Sequence, residues 1–145
     1  MRVLVQRCDR ACVKVDDKIV GQIGMGVMIL VGITHDDDSK KIDYLVDKLI
    51  NLRIFDDEKG VMNKSLLDVS GSILSISQFT LYADTRKGRR PSYVEAMSGD
   101  KAKALYDEFN EKLRNTGVKV ETGIFGADMK VDFINDGPIT IMLEK

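Results

Sequence analysis

The spacing of apolar residues changes along the chain, and each spacing predicts a type of element. Up to residue 33, apolar residues alternate with polar ones or form short runs between turn residues, which predicts strands at 1–7, 12–15, 19–23 and 27–33. The segment 27–33 has no polar side chain, as expected for a strand buried on both faces. The short connections favour antiparallel pairing.

Two later segments carry apolar residues at helical spacing on one side only. Asp38 or Ser39 can cap the first, and Ser98 the second, which has Gly117 at its C-terminal end. The apolar positions are Ile42, Leu45, Val46 and Leu49 in the first segment, and Ala102, Leu105, Tyr106, Phe109 and Leu113 in the second. A one-sided apolar stripe predicts that each segment is a helix covering a sheet.

Four further strands are predicted at residues 71–76, 118–122, 129–134 and 139–143. No linker, repeat or low-complexity segment interrupts the chain, so residues 1–145 are expected to form a single domain. The order of elements predicts an α/β fold. We expect one layered domain of curved, mostly antiparallel, barrel-like β-sheets with two main helices on one side.

The composition is that of an ordinary soluble protein, with 43% hydrophobic and 31% charged residues. The formal net charge is −1, so any contact with nucleic acid must come from a local basic patch. No apolar run has the length of a membrane span, and the first residues lack the pattern of a signal peptide. A cytoplasmic protein without membrane contact is expected.

Cysteine and histidine are too few for several kinds of site. Cys8 and Cys12 are not spaced as metal ligands, and on one extended strand they lie too far apart to form a disulfide, so both are expected to be small buried thiols. The single histidine, His35, precedes three aspartates and is expected in a hydrated loop. A histidine-based triad and a histidine-rich metal site are therefore disfavoured, and neither metal nor cofactor is expected.

Polar side chains gather where the strand at 71–76 ends. Ser77, Gln78 and Thr80 place two hydroxyls and an amide around the ring of Phe79. A basic run follows, with Arg86, Lys87, Arg89 and Arg90. A polar pocket beside a basic rim suits a substrate that carries phosphate. The alternatives are a strand end whose hydroxyls bond to nearby backbone, and a solvated charged loop.

Two glycine-containing stretches are further candidates. The segment 123–129 holds two glycines and an alanine, which allow close approach of a ligand or another backbone, although a bulge between strands is an equal alternative. The segment 135–140 contains Gly137 and Pro138, and turn chemistry alone accounts for them.

The two motifs Ser77-Gln78-Phe79-Thr80-Leu81 and Asn135-Asp136-Gly137-Pro138-Ile139-Thr140 together resemble the signature pair of the D-aminoacyl-tRNA deacylases. The similarity covers the whole chain. It includes Arg2 to Arg7, Asn51 to Phe55, Ala83 to Gly88, Arg90 to Ser92 and Phe125 to Met129. Arg89 departs from the family, whose members often carry a smaller polar residue there, and this bears on how strongly the loop grips RNA.

The resemblance implies a homodimeric enzyme that hydrolyses the ester between a D-amino acid and the terminal ribose of tRNA. It also implies removal of glycine from mischarged tRNA, no DNA partner, and a cis Gly-Pro bond that projects into the partner subunit's pocket. The residues implied for catalysis are Ser77, Gln78, Phe79 and Thr80. Those implied for substrate binding and chirality are Phe125, Ala127, Met129, Asn135, Gly137 and Pro138. RNA binding is expected from Arg86, Lys87, Arg89 and Arg90.

An aminoacyl ester is already activated, so positioning and backbone N–H groups near Phe79 and Thr80 would suffice for hydrolysis. Reported mechanisms of the family differ on whether the threonine is a nucleophile. Thr80 has no evident neighbouring base in the sequence, which favours a positioning role. Two other functions stay open: a tRNA-binding module without catalysis, and a general esterase with Thr80 or Ser77 as nucleophile.

Overall fold

The computed structural model describes residues 1–145. The chain forms eight strands, two α-helices and one short 3-10 helix, which lies between the sixth strand and the second α-helix. The strands are β1 (Arg2–Val15), β2 (Lys18–Ile23), β3 (Gly26–Gly32), β4 (Phe55–Asp56), β5 (Met62–Lys64), β6 (Ser72–Ser77), β7 (Val120–Thr122) and β8 (Lys130–Glu144). The helices are α1 (Ser39–Ile50), the 3-10 helix (Phe79–Tyr82) and α2 (Gly99–Asn115). None of the helices combines the length and apolar character needed to span a membrane.

The long strand β1 organises the sheet. It pairs antiparallel with β2, β3 and β8, so that Val5 lies opposite both Ile29 and Ile141. The sheet continues from β3 to β6 and β7 through parallel pairings, giving the order β2-β1-β3-β6-β7. The expected α/β fold with mostly antiparallel pairing is confirmed.

The sheet curls until its two ends approach each other. At Gly21 of β2, a built Cβ atom would lie 2.7 Å from the backbone oxygen of Thr122 in β7. Only a residue without a side chain allows this approach. The contact between β2 and β7, the first and last strands of this order, makes the sheet barrel-like, as the order of elements predicted.

Apolar side chains form two clusters on opposite faces of the sheet. The larger contains 22 buried residues and includes apolar side chains of both α1 and α2, so the two helices lie on one side as expected. The smaller contains Cys8, Ala11, Val13, Ile23, Met28, Leu74 and Ile76. The alternation of β3 explains the division, because Ile29 faces the first cluster and Met28 the second.

The helices begin where their caps were predicted. The Asp38 side chain accepts a hydrogen bond from the backbone N–H of Lys41 at 2.9 Å, and α2 follows Ser98. Gly117 has a φ of +90°, the left-handed conformation that suits a glycine just beyond a helix.

Two predicted separations between strands are wrong. Residues 1–7 and 12–15 belong to one strand, β1, and residues 129–134 and 139–143 belong to one strand, β8. The two long strands pair with each other almost throughout, and the turn-like residues are absorbed by register shifts on either side of Cys8. The β4–β5 hairpin and the 3-10 helix were not predicted.

Candidate active site

Parallel pairing of β3 with β6 fixes the position of the first motif. Val31 lies opposite Ser77 at the end of β6, and the N–H of Gln78 donates to the Val31 carbonyl at 2.7 Å. The chain then leaves the sheet as the 3-10 helix that begins at Phe79. The sequence therefore changes from a buried strand to polar and aromatic residues at the point where the sheet ends.

A cavity of about 370 Å³ opens at this end of the sheet. Six of the predicted site residues line it: Ser77, Gln78, Phe79, Phe125, Ala127 and Met129. They come from two stretches almost fifty positions apart in sequence, which are brought together because β7 pairs with β6 and leads into the loop that contains Phe125. Its volume is within the range of small-molecule sites.

Thr80 lies behind the cavity wall and is hydrogen-bonded to Gln78. Its Oγ1 accepts a hydrogen bond from the side-chain amide of Gln78, which does line the cavity. Thr80 itself is half-buried and is not part of the cavity wall. Its hydroxyl is therefore fixed by an amide, which cannot serve as a base.

The N-terminal end of α2 forms a wall that the sequence analysis did not assign to the site. Met97, Ser98, Gly99 and Ala102 line the cavity. The segment is tied to the sheet because the N–H of Met97 donates to the carbonyl of Ile33 at 2.9 Å. Ser98 was recognisable in the sequence as the residue at the N-cap position of α2, but that position does not reveal what the end of the helix faces.

The ring of Phe125 packs against a buried tyrosine, Tyr106. The rings of Tyr106 and Phe125 lie 5.7 Å apart, and the Tyr106 hydroxyl donates to the carbonyl of Ser75 at 2.8 Å. Burial raises the pKa of Tyr106 above its ordinary value, so this hydroxyl stays protonated and keeps its role as donor. At Gly123, a Cβ atom would contact Met129 Sδ, so a larger residue there would require the Met129 side chain to move.

The Gly137–Pro138 peptide bond is cis, the geometry expected from the resemblance. These two residues lie in a bulge of β8 between the paired positions Asn135 and Thr140, and Arg7 anchors that bulge: Arg7 Nε lies 2.7 Å from Asp136 Oδ2, and Arg7 itself is only 7% exposed. The Asn135 amide nitrogen, in the orientation that satisfies its neighbours, donates to the carbonyl of Arg7 at 3.0 Å. Gly137 and Pro138 are exposed, and neither they nor Asn135 line the cavity of the same chain.

The basic run forms a hairpin, residues 84–92, which we call the basic hairpin. The Arg86 guanidinium is paired within the chain, because its Nε and Nη2 donate to the two carboxylate oxygens of Asp84 at 2.9 and 2.8 Å. This pairing lowers the pKa of Asp84 to about 2. Lys87, Arg89 and Arg90 are exposed and make no ion pair within the chain. They do not line the cavity.

Comparison with known proteins gives a consistent result. The model of the family described as D-Tyr-tRNA(Tyr) deacylase matches residues 4–144. A D-aminoacyl-tRNA deacylase of Limosilactobacillus reuteri (strain DSM 20016) is 56% identical over 145 residues, covering 100% of both chains. A D-aminoacyl-tRNA deacylase of Bacillus cereus (strain B4264) is 58% identical over 144 residues, covering 99% of both chains.

Solved structures share the fold. One, described as c-Myc DNA Unwinding Element Binding Protein, has a TM-score of 0.94 and 41% identity, over 100% of this chain and 99% of that one. Another, described as a probable eukaryotic D-amino acid tRNA deacylase, has a TM-score of 0.84 and 26% identity, over 98% and 97% of the two chains. From the family match over residues 4–144 and relatives of more than half identity, the chain belongs to the D-Tyr-tRNA(Tyr) deacylase family.

Proposed function

We propose that this enzyme hydrolyses the ester bond between a D-amino acid and the terminal ribose of tRNA, and that it also removes glycine from mischarged tRNA. The relatives that match this chain from end to end are D-aminoacyl-tRNA deacylases, which are ester hydrolases. The observation that carries the proposal is the shared cavity. Ser77 to Phe79 of the first motif and Phe125 to Met129 of the separate glycine-containing stretch line it together.

Backbone N–H groups supply the electrophilic assistance. The 3-10 helix starts at Phe79, and the first N–H groups of a helix have no partner within it. The N–H groups of Phe79 and Thr80 would therefore be available to the oxyanion that forms when water attacks the ester carbonyl. The ester is activated, so this assistance and a positioned water lower the barrier without a covalent intermediate.

Thr80 acts by positioning. The Gln78 amide donates to its hydroxyl, which leaves the hydroxyl proton of Thr80 free to point at a water or at the substrate. A nucleophilic threonine needs a base to remove that proton, and its hydrogen-bond partner is an amide. The sole histidine, His35, does not line the cavity, and its Nε2 donates to the carbonyl of Val94 at 2.8 Å rather than contacting Thr80.

Selection for the D-enantiomer would come from the Gly137–Pro138 bulge of β8 in a second subunit of a homodimer. In one chain this bulge is exposed and does not line the cavity, while the Arg7–Asp136 pair holds it in place. Both properties suit an element that inserts into a partner's cavity. If backbone carbonyls fix the α-amino group, an L side chain would meet this bulge, whereas hydrogen or a D side chain would not.

The tRNA would be held by the basic hairpin. Its free cations, Lys87, Arg89 and Arg90, provide a local positive patch on a chain whose formal net charge is −1. Arg86 would mainly fix the shape of the hairpin through Asp84. Phosphate contacts position a nucleic acid without reading its sequence, as an enzyme acting on many tRNAs requires.

Release of the amino acid tests the function. We expect purified enzyme to liberate free amino acid from D-tyrosyl-tRNA and from glycyl-tRNA. A tRNA-binding module would bind both substrates and release nothing, whereas a general esterase would cleave D-tyrosine ethyl ester as efficiently as the tRNA ester. Duplex DNA at equal nucleotide concentration should not inhibit, which separates this activity from the DNA binding named for one structural neighbour.

A further inference from the structure

The basic hairpin has its base beside the cavity. Asp84 and Ser92 close it, since the N–H of Asp84 donates to Ser92 O at 2.8 Å and the N–H of Ser92 donates to Asp84 O at 2.9 Å. One arm follows directly on the 3-10 helix that carries Phe79, and the other arm leads directly into Tyr93. The path of the chain therefore places an aromatic residue at each arm of the hairpin's base.

Phe79 and Tyr93 are in contact with each other and with solvent. Their ring centroids are 5.0 Å apart at an interplanar angle of 69°, an edge-to-face arrangement. Phe79 is 54% exposed and Tyr93 is 42% exposed, and Phe79 also lines the cavity. An edge-to-face pair leaves ring faces open, and two exposed aromatic rings at the mouth of a cavity are a typical recognition feature.

The segment that carries Tyr93 is held rigidly to the end of β3. His35 Nε2 donates to the carbonyl of Val94 at 2.8 Å, and Thr34 Oγ1 donates to the carbonyl of Glu95 at 2.6 Å. The N–H of Ala96 closes a turn by donating to the carbonyl of Tyr93 at 3.0 Å. The ring is thus mounted on a fixed backbone, which reduces the entropy cost of binding.

We propose that Tyr93, supported by Phe79, is the stacking surface for the nucleobase that precedes the terminal adenosine of the tRNA. This inference rests on the proposed function and extends its site outward by one nucleotide. The unpaired 3′ end of tRNA offers an ester, then exposed bases, then a continuing phosphate backbone. The structure offers, in the same order, a cavity, an aromatic pair and the cations Lys87, Arg89 and Arg90.

An aromatic pair can bind a nucleobase by stacking, without hydrogen bonds that would select one base over another. Every base has a π-face, so stacking on an aromatic side chain tolerates any sequence. It also fixes the direction in which the strand enters the cavity, which delivers the ester carbonyl to the N–H groups of the 3-10 helix. Tyr93 is thus a positioning residue that increases the affinity of the enzyme for its tRNA substrate.

The test compares two non-hydrolysable ligands, in which an amide replaces the ester: D-tyrosyl-adenosine alone, and the same group extended by one 5′ nucleotide. The wild-type enzyme should bind the extended ligand more tightly. Tyr93→Ala should lose about 10-fold more affinity for the extended ligand than for the short one, while Tyr93→Phe keeps the difference and Tyr93→Leu loses it. On D-tyrosyl-tRNA, Tyr93→Ala should raise KM far more than it lowers kcat.

Three results would overturn the stacking role. These are equal losses of affinity on the two ligands, full function in Tyr93→Leu, and a change of oligomeric state in Tyr93→Ala, which would place the ring at a subunit contact. Failure of the proposed function has a different signature. In that case the wild-type enzyme would neither bind the short ligand nor release D-tyrosine, and both proposals would fall together.

Discussion

At the scale of single residues, the site depends on how Gln78 and Thr80 hold each other. The Gln78 amide donates to the Thr80 hydroxyl, so one side chain on the cavity wall orients another behind it. A hydroxyl held in this way can orient a water through one hydrogen bond. The energy involved is that of a single neutral hydrogen bond, which sets the expected size of its effect on the rate.

Thr80→Ala is expected to lower kcat about tenfold, because one neutral hydrogen bond contributes about 1.4 kcal/mol or less. Thr80→Ser keeps the hydroxyl and should stay close to wild type. Single-turnover deacylation of D-tyrosyl-tRNA measures both, and thermal unfolding shows that the variants fold. A covalent aminoacyl adduct on Thr80, found by mass spectrometry of the quenched reaction, would contradict the positioning role.

Cys8 should make stability depend on alkaline pH. Burial raises its pKa from 9.0 to about 11. Because the folded state holds the proton more tightly than the unfolded state, the stabilisation is complete below pH 9 and is lost as the pH rises from 9 towards 11. Urea unfolding of wild type and Cys8→Ala across this range isolates the effect. Parallel pH profiles for the two proteins would show that this thiol contributes nothing.

At the scale of elements, closure of the sheet depends on the contact between β2 and β7. A Cβ at Gly21 would lie 2.7 Å from the backbone oxygen of Thr122, which cannot move without disturbing a strand. Gly21→Ala should therefore lower the free energy of unfolding by about 1–3 kcal/mol. Gly24→Ala is the matched control, since a Cβ there meets nothing within 4 Å. Equal stability of the two variants would show that the sheet does not close as described.

The basic hairpin should act through phosphates. Replacing Lys87, Arg89 and Arg90 by Ser should weaken tRNA binding and reduce the slope of log affinity against log salt by about 2–3. The matched control removes three other exposed lysines without an ion pair, Lys40, Lys48 and Lys59, for the same change of net charge. An unchanged slope in the hairpin variant, or an equal change in the control, would place the RNA elsewhere.

At the scale of the whole molecule, the sequence predicted most elements but not which segments join into one continuous strand. Apolar runs were enough to predict β3 and β6, and helical spacing was enough for α1 and α2, because the buried positions of each element are apolar. The continuity of β1 and β8 was not predictable in the same way. Local turn residues are outweighed there by long antiparallel pairing, which is a tertiary effect.

The candidate site, too, was predictable from the sequence only in part. The motif at Ser77 was recognisable because polar residues follow a buried strand. The wall formed by Met97 and Ala102 was not, because it depends on where α2 begins relative to the end of β3. Likewise, the sequence showed four cations in the basic hairpin, but only the structure shows that Asp84 holds Arg86.

Selection of D- over L-aminoacyl-tRNA is the property that would separate this enzyme from a general esterase. The most direct measurement is the ratio of kcat/KM for D-tyrosyl-tRNA and L-tyrosyl-tRNA, prepared on the same tRNA and assayed with the same enzyme. Only the configuration at one carbon then differs, so contacts to RNA cancel. We expect rapid release of D-tyrosine and a ratio of at least about 100, equivalent to a clash of roughly 2.7 kcal/mol or more. Equal rates on the two enantiomers would contradict it.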